Sequence, residues 1–411
     1  MAKARSPAAA TRVRTDPLPH LASGVIARFL PRDAGFAFAV LFVALGAFGA
    51  GCAHRPPAQT PARPTIQATP IVITPREDEA PEAVFQRAEL LLAEGKGAEA
   101  GALFDRLAAL DPAGPFAPMA HYKSGVAWDV AGDYEGALAR FRAVRTRYAD
   151  RDIGRLATIG SLRLEAYLEQ WSQLSASADL FLARADLGDV DRIEGYGAKA
   201  LAIVETGDAD GAERYIARGR DIIESLRLGE GGKLPVQVAQ VFFALGEIRR
   251  VRGEAITFVP VPPNFADALE KRCQLLLDAQ SAYSDAMRSY ETHWPAMSGY
   301  RVGELYQKLH RDVLAIPAPT TATSTEKKRL FEGAMALRYR ILLEKGLKMM
   351  DHTVMFGEKT GEASTWITRA RAAKRDIERA LEEQKAKLAA LPYSEKDLQK
   401  ALDDLAAKSR P

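Results

Sequence analysis

Two cysteines, Cys52 and Cys273, stand in a chain of 411 residues. That is too few for a disulfide framework. Charge of one sign is also lacking: 56 Lys and Arg face 53 Asp and Glu, a formal net charge of +3. No basic patch is implied, and aromatics are sparse at 8% without basic residues interleaved, so nucleic acid is not an expected partner. The six histidines (His20, His54, His121, His293, His310 and His352) form no H-E-x-x-H and no short-spaced pair, so no metal site is expected. Gly-Gly-Lys at 231–233 is followed by Leu234 instead of Ser or Thr, and Arg227 stands where a phosphate loop needs its first glycine. Asp208-Ala-Asp210-Gly211 resembles a calcium loop, but aligning the glycine puts Thr206 at the first ligand position, so an interhelical turn is the better reading. No G-x-S-x-G occurs. No catalytic residue, metal or cofactor is expected. Cys273, beside Leu275 to Leu277, reads as a packed thiol. His293 and His310, near Trp294 and Tyr306, read as core histidines.

Long apolar runs are lacking too, with one exception. Residues 35–51, GFAFAVLFVALGAFGAG, are uncharged and follow a leader carrying Lys3, Arg5, Arg12, Arg14, Arg28 and Arg32. Seventeen residues suit the apolar core of a signal peptide and fall short of the ~20 of a spanning helix. The run ends in Gly49-Ala50-Gly51-Cys52. This junction resembles the lipobox of bacterial lipoproteins, although Gly49 stands where an aliphatic residue is usual. The resemblance implies that Cys52 is acylated and becomes the mature N-terminus, with residues 1–51 removed. An uncleaved membrane anchor is the alternative. Ala53, in place of aspartate, points to the outer membrane and a periplasmic face. Residues 52–80, with Pro56, Pro57, Pro61, Pro64, Pro70 and Pro75, cannot bury a core and read as a semi-extended tether.

What the chain does have is a repeat. Turn positions fall at 95, 132, 169 and 207, a step of 37 or 38 residues, the length of a helix–turn–helix solenoid unit. No alternating run bounded by hairpin turns occurs from Pro81 onward, so strands are not expected. In the clearest copy Gly125 and Trp128 precede Gly132-Asp133-Tyr134, then Ala137 and Phe141; an earlier copy has Ala88, Leu91, Gly95, Ala100, Phe104 and Pro112; a later one has Ala200, Ile203, Gly207, Ala212 and Ile216. The third copy is degenerate, with Trp171 in the Tyr134 slot and Leu174 in place of the alanine. The pattern resembles the tetratricopeptide repeat. The fold class expected is therefore all-α, a right-handed α-solenoid with extra C-terminal helices. The repeats run over 81–228, divergent ones over 229–316, a linker over 317–325 and a C-terminal helical region over 326–411.

Several finer elements are also expected. A long helix runs from Phe265 to Trp294. Gly246 and Gly303 are small positions of later first helices. Helical runs cover Glu326 to about Val354, Gly361 to Leu391 and Ser394 to Lys408, the last opened by Ser394 and Asp397 as a capping box. Trp366, Ala370, Ala373, Ile377 and Leu381 make one apolar face, which reads as a helix capping the solenoid's end; a coiled-coil contact with a partner is the sharper alternative.

The resemblance implies a binding protein, not an enzyme, with protein partners in the cell envelope. An adaptor of a motility, secretion or cell-wall machine is one variant of that reading. An enzyme acting on cell-wall glycan from a helical scaffold is the alternative of another class. In the resembling family, certain first-helix positions line a concave groove. Here they are Glu82, Phe85, Glu89, Tyr122, Val126, Asp129, Arg163, Glu194 and Leu201. The set lacks the Lys and Asn pattern by which chaperone-binding relatives clamp a C-terminal carboxylate. An extended or helical ligand with apolar anchors and basic flanks is expected instead.

Overall fold

The computed structural model describes residues 80–230, 234–289 and 291–408. Cys52, the apolar run, the tether before residue 80 and Gly-Gly-Lys at 231–233 lie outside the described residues. Among those described there is no strand, and no helix is long and apolar enough to cross a membrane.

The helices come as hairpins. The first three are α1 (Pro81–Ala93) with α2 (Gly97–Leu110), α3 (Ala117–Val130) with α4 (Tyr134–Arg147), and α5 (Asp152–Tyr167) with α6 (Trp171–Leu182). The next three are α7 (Asp189–Glu205) with α8 (Ala209–Ser225), α9 (Val236–Glu254) with α10 (Phe265–Met287), and α11 (His293–Leu314) with α12 (Thr325–Thr360). Two more follow, α13 (Thr365–Ala389) and α14 (Glu395–Lys408). Each first helix packs on its own second helix and also on the first helix of the next hairpin, from α1–α3 through to α9–α11. The first helices therefore form an inner layer and the second helices an outer one. This is an all-α solenoid of tetratricopeptide-like hairpins.

The repeating step has a backbone cause. Gly95, Gly132, Glu169 and Gly207 all sit at positive φ, between +57° and +104°. At each, the next N–H returns to the carbonyl five residues back: Lys96 to Leu91, Asp133 to Trp128, Gln170 to Glu165 and Asp208 to Ile203, at 2.8–3.2 Å. This is one helix-ending motif, repeated at Arg227 where Leu228 N–H returns to Ile223 at 3.0 Å, and glycine suits it because it lacks a Cβ. Asp133 and Asp208 then start the following helices, accepting from the N–H of Gly136 (3.0 Å) and Gly211 (2.7 Å). The turn reading of Asp208 to Gly211 is the observed one.

Close approach explains the small residues. Ala88, Ala100, Ala137 and Ala212 have no accessible surface. A Cβ at Gly125 would stand 2.8 Å from Cε1 of Phe141, and one at Gly160 of the next hairpin 2.9 Å from Cε2 of the same ring. The Phe141 ring is thus wedged between two first helices, which is how an aromatic fills the gap between units. The later hairpins repeat the device, with Gly246 against Tyr283 and Gly303 against Met350 at 2.6 Å.

Two expectations change. The long helix ends at Met287, and Trp294 lies in the first turn of the next one, which begins at His293; Pro295 fits a first helical turn and not a last one. Residues 315–324 join the two helices of one hairpin, because α12 packs along α11 as its second helix. Leu174, in the alanine slot, is fully buried and shares the unit's core with Phe181. Ser394 and Asp397 do form the reciprocal cap: Ser394 N–H and Oγ donate to Asp397 Oδ2 at 2.9 and 2.6 Å, and Asp397 N–H donates to Ser394 Oγ at 3.3 Å. Cys273 is half-buried, and burial pushes its thiol pKa up.

Candidate protein-binding face

The groove positions read from the sequence do not share one environment. Glu82 is exposed on α1. Phe85 is half-buried, edge-on to Phe104 and tilted on Phe116 at 5.4 and 5.7 Å. Glu89 is exposed and pairs with Lys123 of the next first helix at 3.0 Å. Tyr122 and Val126 pack around Phe141. Asp129 Oδ1 lies 3.1 Å from Nε2 of His293. Arg163 holds Glu194 with two hydrogen bonds, at 2.9 and 2.7 Å. Glu194 and Leu201 have no accessible surface, so they belong to the core and offer nothing to a partner.

A physical pattern runs through these placements. Lys123–Glu89, Arg163–Glu194 and Arg301–Glu247 each tie one first helix to the preceding or following one. Charges that read as groove lining are largely rungs between hairpins. The strongest rung is a cluster. Glu247, fully buried, accepts from Tyr283 (2.8 Å), Arg250 (2.6 Å) and Arg301 (2.9 Å). Burial opposes its charge, but Arg301 and Arg250 outweigh this and hold its pKa at about 2. Glu205 beside it is pushed up to about 8 by burial and by the Glu247 charge.

The middle of the inner layer is already occupied by distant parts of the same chain. Tyr134, opening α4, and Tyr167, closing α5, both donate to Oε1 of Glu362 at 2.7 Å. The N–H of Ser364 donates to the same oxygen at 3.1 Å. Trp366 is fully buried and donates from Nε1 to the carbonyl of Tyr167 at 2.9 Å. Arg369 forks onto Glu169 at 2.9 and 2.5 Å. The guanidinium groups of Arg369 and Arg301 lie over the Trp366 ring, at 4.9 and 5.3 Å from its centre.

His293 joins from a second distant segment. Its ring sits 4.2 Å from that of Tyr167 and 5.5 Å from that of Tyr134. Its Nδ1 meets the Glu291 carboxylate. Burial disfavours the imidazolium, but Glu291 and Asp129 outweigh it, and the pKa stands well above the ordinary value. Burial would raise Glu291, and the His293 charge holds it low instead. Burial first, and then the Glu362 carboxylate, push both phenols up, so both stay protonated and donate to Glu362. His293 is therefore core, as its aromatic neighbours suggested, with a charge the sequence did not reveal. His310 is also buried, and burial alone lowers its pKa to about 4.

Sequence reasoning found Trp366 as part of an apolar face but not what it meets. Tyr134 and position 169 read only as turn positions, and Tyr167, Glu362 and Arg369 carried no signal, because these pairings span about 195 to 228 residues. No protein-family description matches the chain, and no curated protein sequence does. Among solved structures it is similar to a tetratricopeptide repeat protein from Parabacteroides merdae ATCC 43184, at 11% identity and a TM-score of 0.38, over 71% of this chain and 98% of that one. The class assigned here rests on the helix order and the recurring turn.

Proposed function

We propose that this protein is a lipid-anchored scaffold of a bacterial cell envelope, held at the periplasmic face of the outer membrane by acylated Cys52, and that its hairpins bind another protein of an envelope complex. The leader, the apolar run and the Gly-Ala-Gly-Cys junction support the anchor. The stacked inner layer of first helices supports the binding role, since solenoids of this kind present extended surfaces to macromolecules. That layer is the observation that carries the reading. Service in a motility, secretion or cell-wall machine is compatible with it.

An enzyme acting on cell-wall glycan would need a glutamate free to act in a groove. Glu194, Glu247 and Glu362 are instead held by Arg163, by Arg250 with Arg301, and by Tyr134 with Tyr167. The open part of the inner layer lies at the first hairpin, around exposed Glu82 and Glu89.

Two measurements test the proposal together. Mass spectrometry of membrane-extracted protein should find a chain starting at Cys52 with added lipid mass; an intact N-terminal peptide before residue 52 in the mature pool refutes the anchor. A photocrosslinking residue at Glu82 should trap a defined envelope protein, whereas one at Ala139, exposed on the outer layer, should not. Equal capture at both positions removes the inner layer as the binding face.

A further inference from the structure

We infer that the seat formed by Tyr134, Tyr167 and Glu169 is a peptide-recognition site that the chain's own residues 362–369 occupy, and that the partner suited to it is a protein segment of the same chemistry: a carboxylate, an indole one helical turn later, and a cation three residues after that. The inference rests on the scaffold reading and specifies its ligand.

Three observations carry it. The first is the kind of contact. Helix α13 lies along α12 and α11, and it meets the second and third hairpins through side chains of its first turn and the residues just before it. One carboxylate oxygen takes two phenol hydroxyls, an indole N–H takes a backbone carbonyl, and a guanidinium fork takes a carboxylate. These are directional, chemically distinct contacts of the sort that read a sequence, and they differ from the alanine seams that join neighbouring hairpins.

The second observation is where the seat is built. Tyr134, on the second hairpin, and Tyr167, on the third, converge from two elements on one oxygen, their rings 5.1 Å apart and edge-on. Two phenol hydroxyls donate to that oxygen, and the His293 imidazolium lies against both rings at 4.2 and 5.5 Å, so the seat suits an acid. The Tyr167 carbonyl then takes the indole N–H beside it, and Tyr300 of α11 meets the indole edge-on at 5.8 Å.

The third observation is Glu169. It occupies the helix-ending turn at φ 57°, a conformation that Gly95, Gly132 and Gly207 fill in other first helices and that Arg227, at φ 51°, takes at the end of α8. A residue with a Cβ is disfavoured there, and this one places its carboxylate on Arg369. That turn brings the Glu169 carboxylate onto the returning segment. That pair is partly exposed, at 41% and 28%, so this end of the clasp can exchange with an incoming cation.

The probe is the synthetic peptide 359–374, KTGEASTWITRARAAK, labelled and followed by fluorescence anisotropy against the full chain in detergent. Wild type, with its seat filled, should bind it weakly. Glu362→Gln/Arg369→Glu, which loosens the internal segment, should bind at least ten times more tightly. Adding Tyr134→Phe and Tyr167→Phe to that variant should abolish the gain, and a peptide carrying Glu362→Gln should not compete. Arg369→Glu alone, which leaves the hydrogen bonds of Glu362 and Trp366 in place, should show a smaller gain in the same direction. Equal affinity of wild type and both loosened variants overturns the inference, as does a gain that survives loss of both phenols. Either result leaves crosslinking at Glu82 untouched, whereas failure of that crosslinking alongside a peptide gain sinks the scaffold and keeps the seat.

Discussion

Arg163 and Glu194 face each other across successive first helices, two hydrogen bonds joining guanidinium to carboxylate, with no surface left on Glu194. Removing one partner strands a buried charge. Glu194→Ala should cost about 3–5 kcal/mol, and replacing both residues, as in Arg163→Met/Glu194→Leu, should recover most of that loss. Urea midpoints of the two variants and wild type check this. A double variant as unstable as the single one would show that the pair contributes net attraction.

Phe141, held between Gly125 and Gly160, sets the spacing of the second and third hairpins. Gly125→Ala forces the ring to move and should cost about 1–3 kcal/mol, as should Ala137→Leu in the adjoining seam. Gly132→Asn should stay within about 0.5 kcal/mol of wild type, since its φ of +80° suits asparagine and little surrounds it. Thermal melts of the three variants separate seam from turn; an unchanged Gly125→Ala would mean the ring is not wedged.

The His293–Glu291 pair gives a pH signature. The folded-state pKa of His293 is raised, so its contribution is complete below the ordinary value of 6.5 and fades as pH rises through the folded value. That of Glu291 is lowered, so its contribution is present above 4.5 and is lost as pH falls through the folded value. The stability gap between wild type and His293→Gln should therefore be larger at pH 5.5 than at pH 9. A gap that grows toward pH 9 would mean the ring is neutral in the fold.

Glu205 behaves in the opposite sense to Glu291. Its pKa rises from 4.5 to about 8 on folding, so the folded chain keeps a proton that the unfolded chain has released, and stability falls with pH across that interval. Glu205→Gln imitates the protonated form and lacks this fall. Relative to wild type it should gain stability from pH 5 to pH 8 and level off above. Denaturation at three pH values suffices; a flat difference would place the shared proton elsewhere.

Local rules made the array legible. The step from Gly95 to Gly207 marks real turns because each needs a left-handed residue, and Ala100, Ala137 and Phe141 mark real seams because each meets a partner within about one unit. The same rules placed Ser394 and Asp397 as a cap. They misplaced the boundary at Trp294, where an apolar face continues across a break that Pro295 marks. The groove set was less legible. Spacing puts Arg163, Glu194 and Leu201 on the inner layer, but it does not say whether that layer is open. Glu194 is covered by its neighbour's arginine and Asp129 by a histidine from a segment more than a hundred residues away. Tyr134 looks like any turn tyrosine until Glu362 arrives.

A chain of hairpins that touch only their neighbours behaves as a one-dimensional array, free to unravel from either end one unit at a time. The bonds from Tyr134, Tyr167 and Glu169 to residues 362–369 remove that freedom at the C-terminal end. Helix α13 cannot peel away without breaking contacts made by the second and third hairpins, so those hairpins and the C-terminal helices should lose amide protection together in hydrogen exchange, although most of the sequence between them could still be folded. The first hairpin, outside this loop, is left to open by itself.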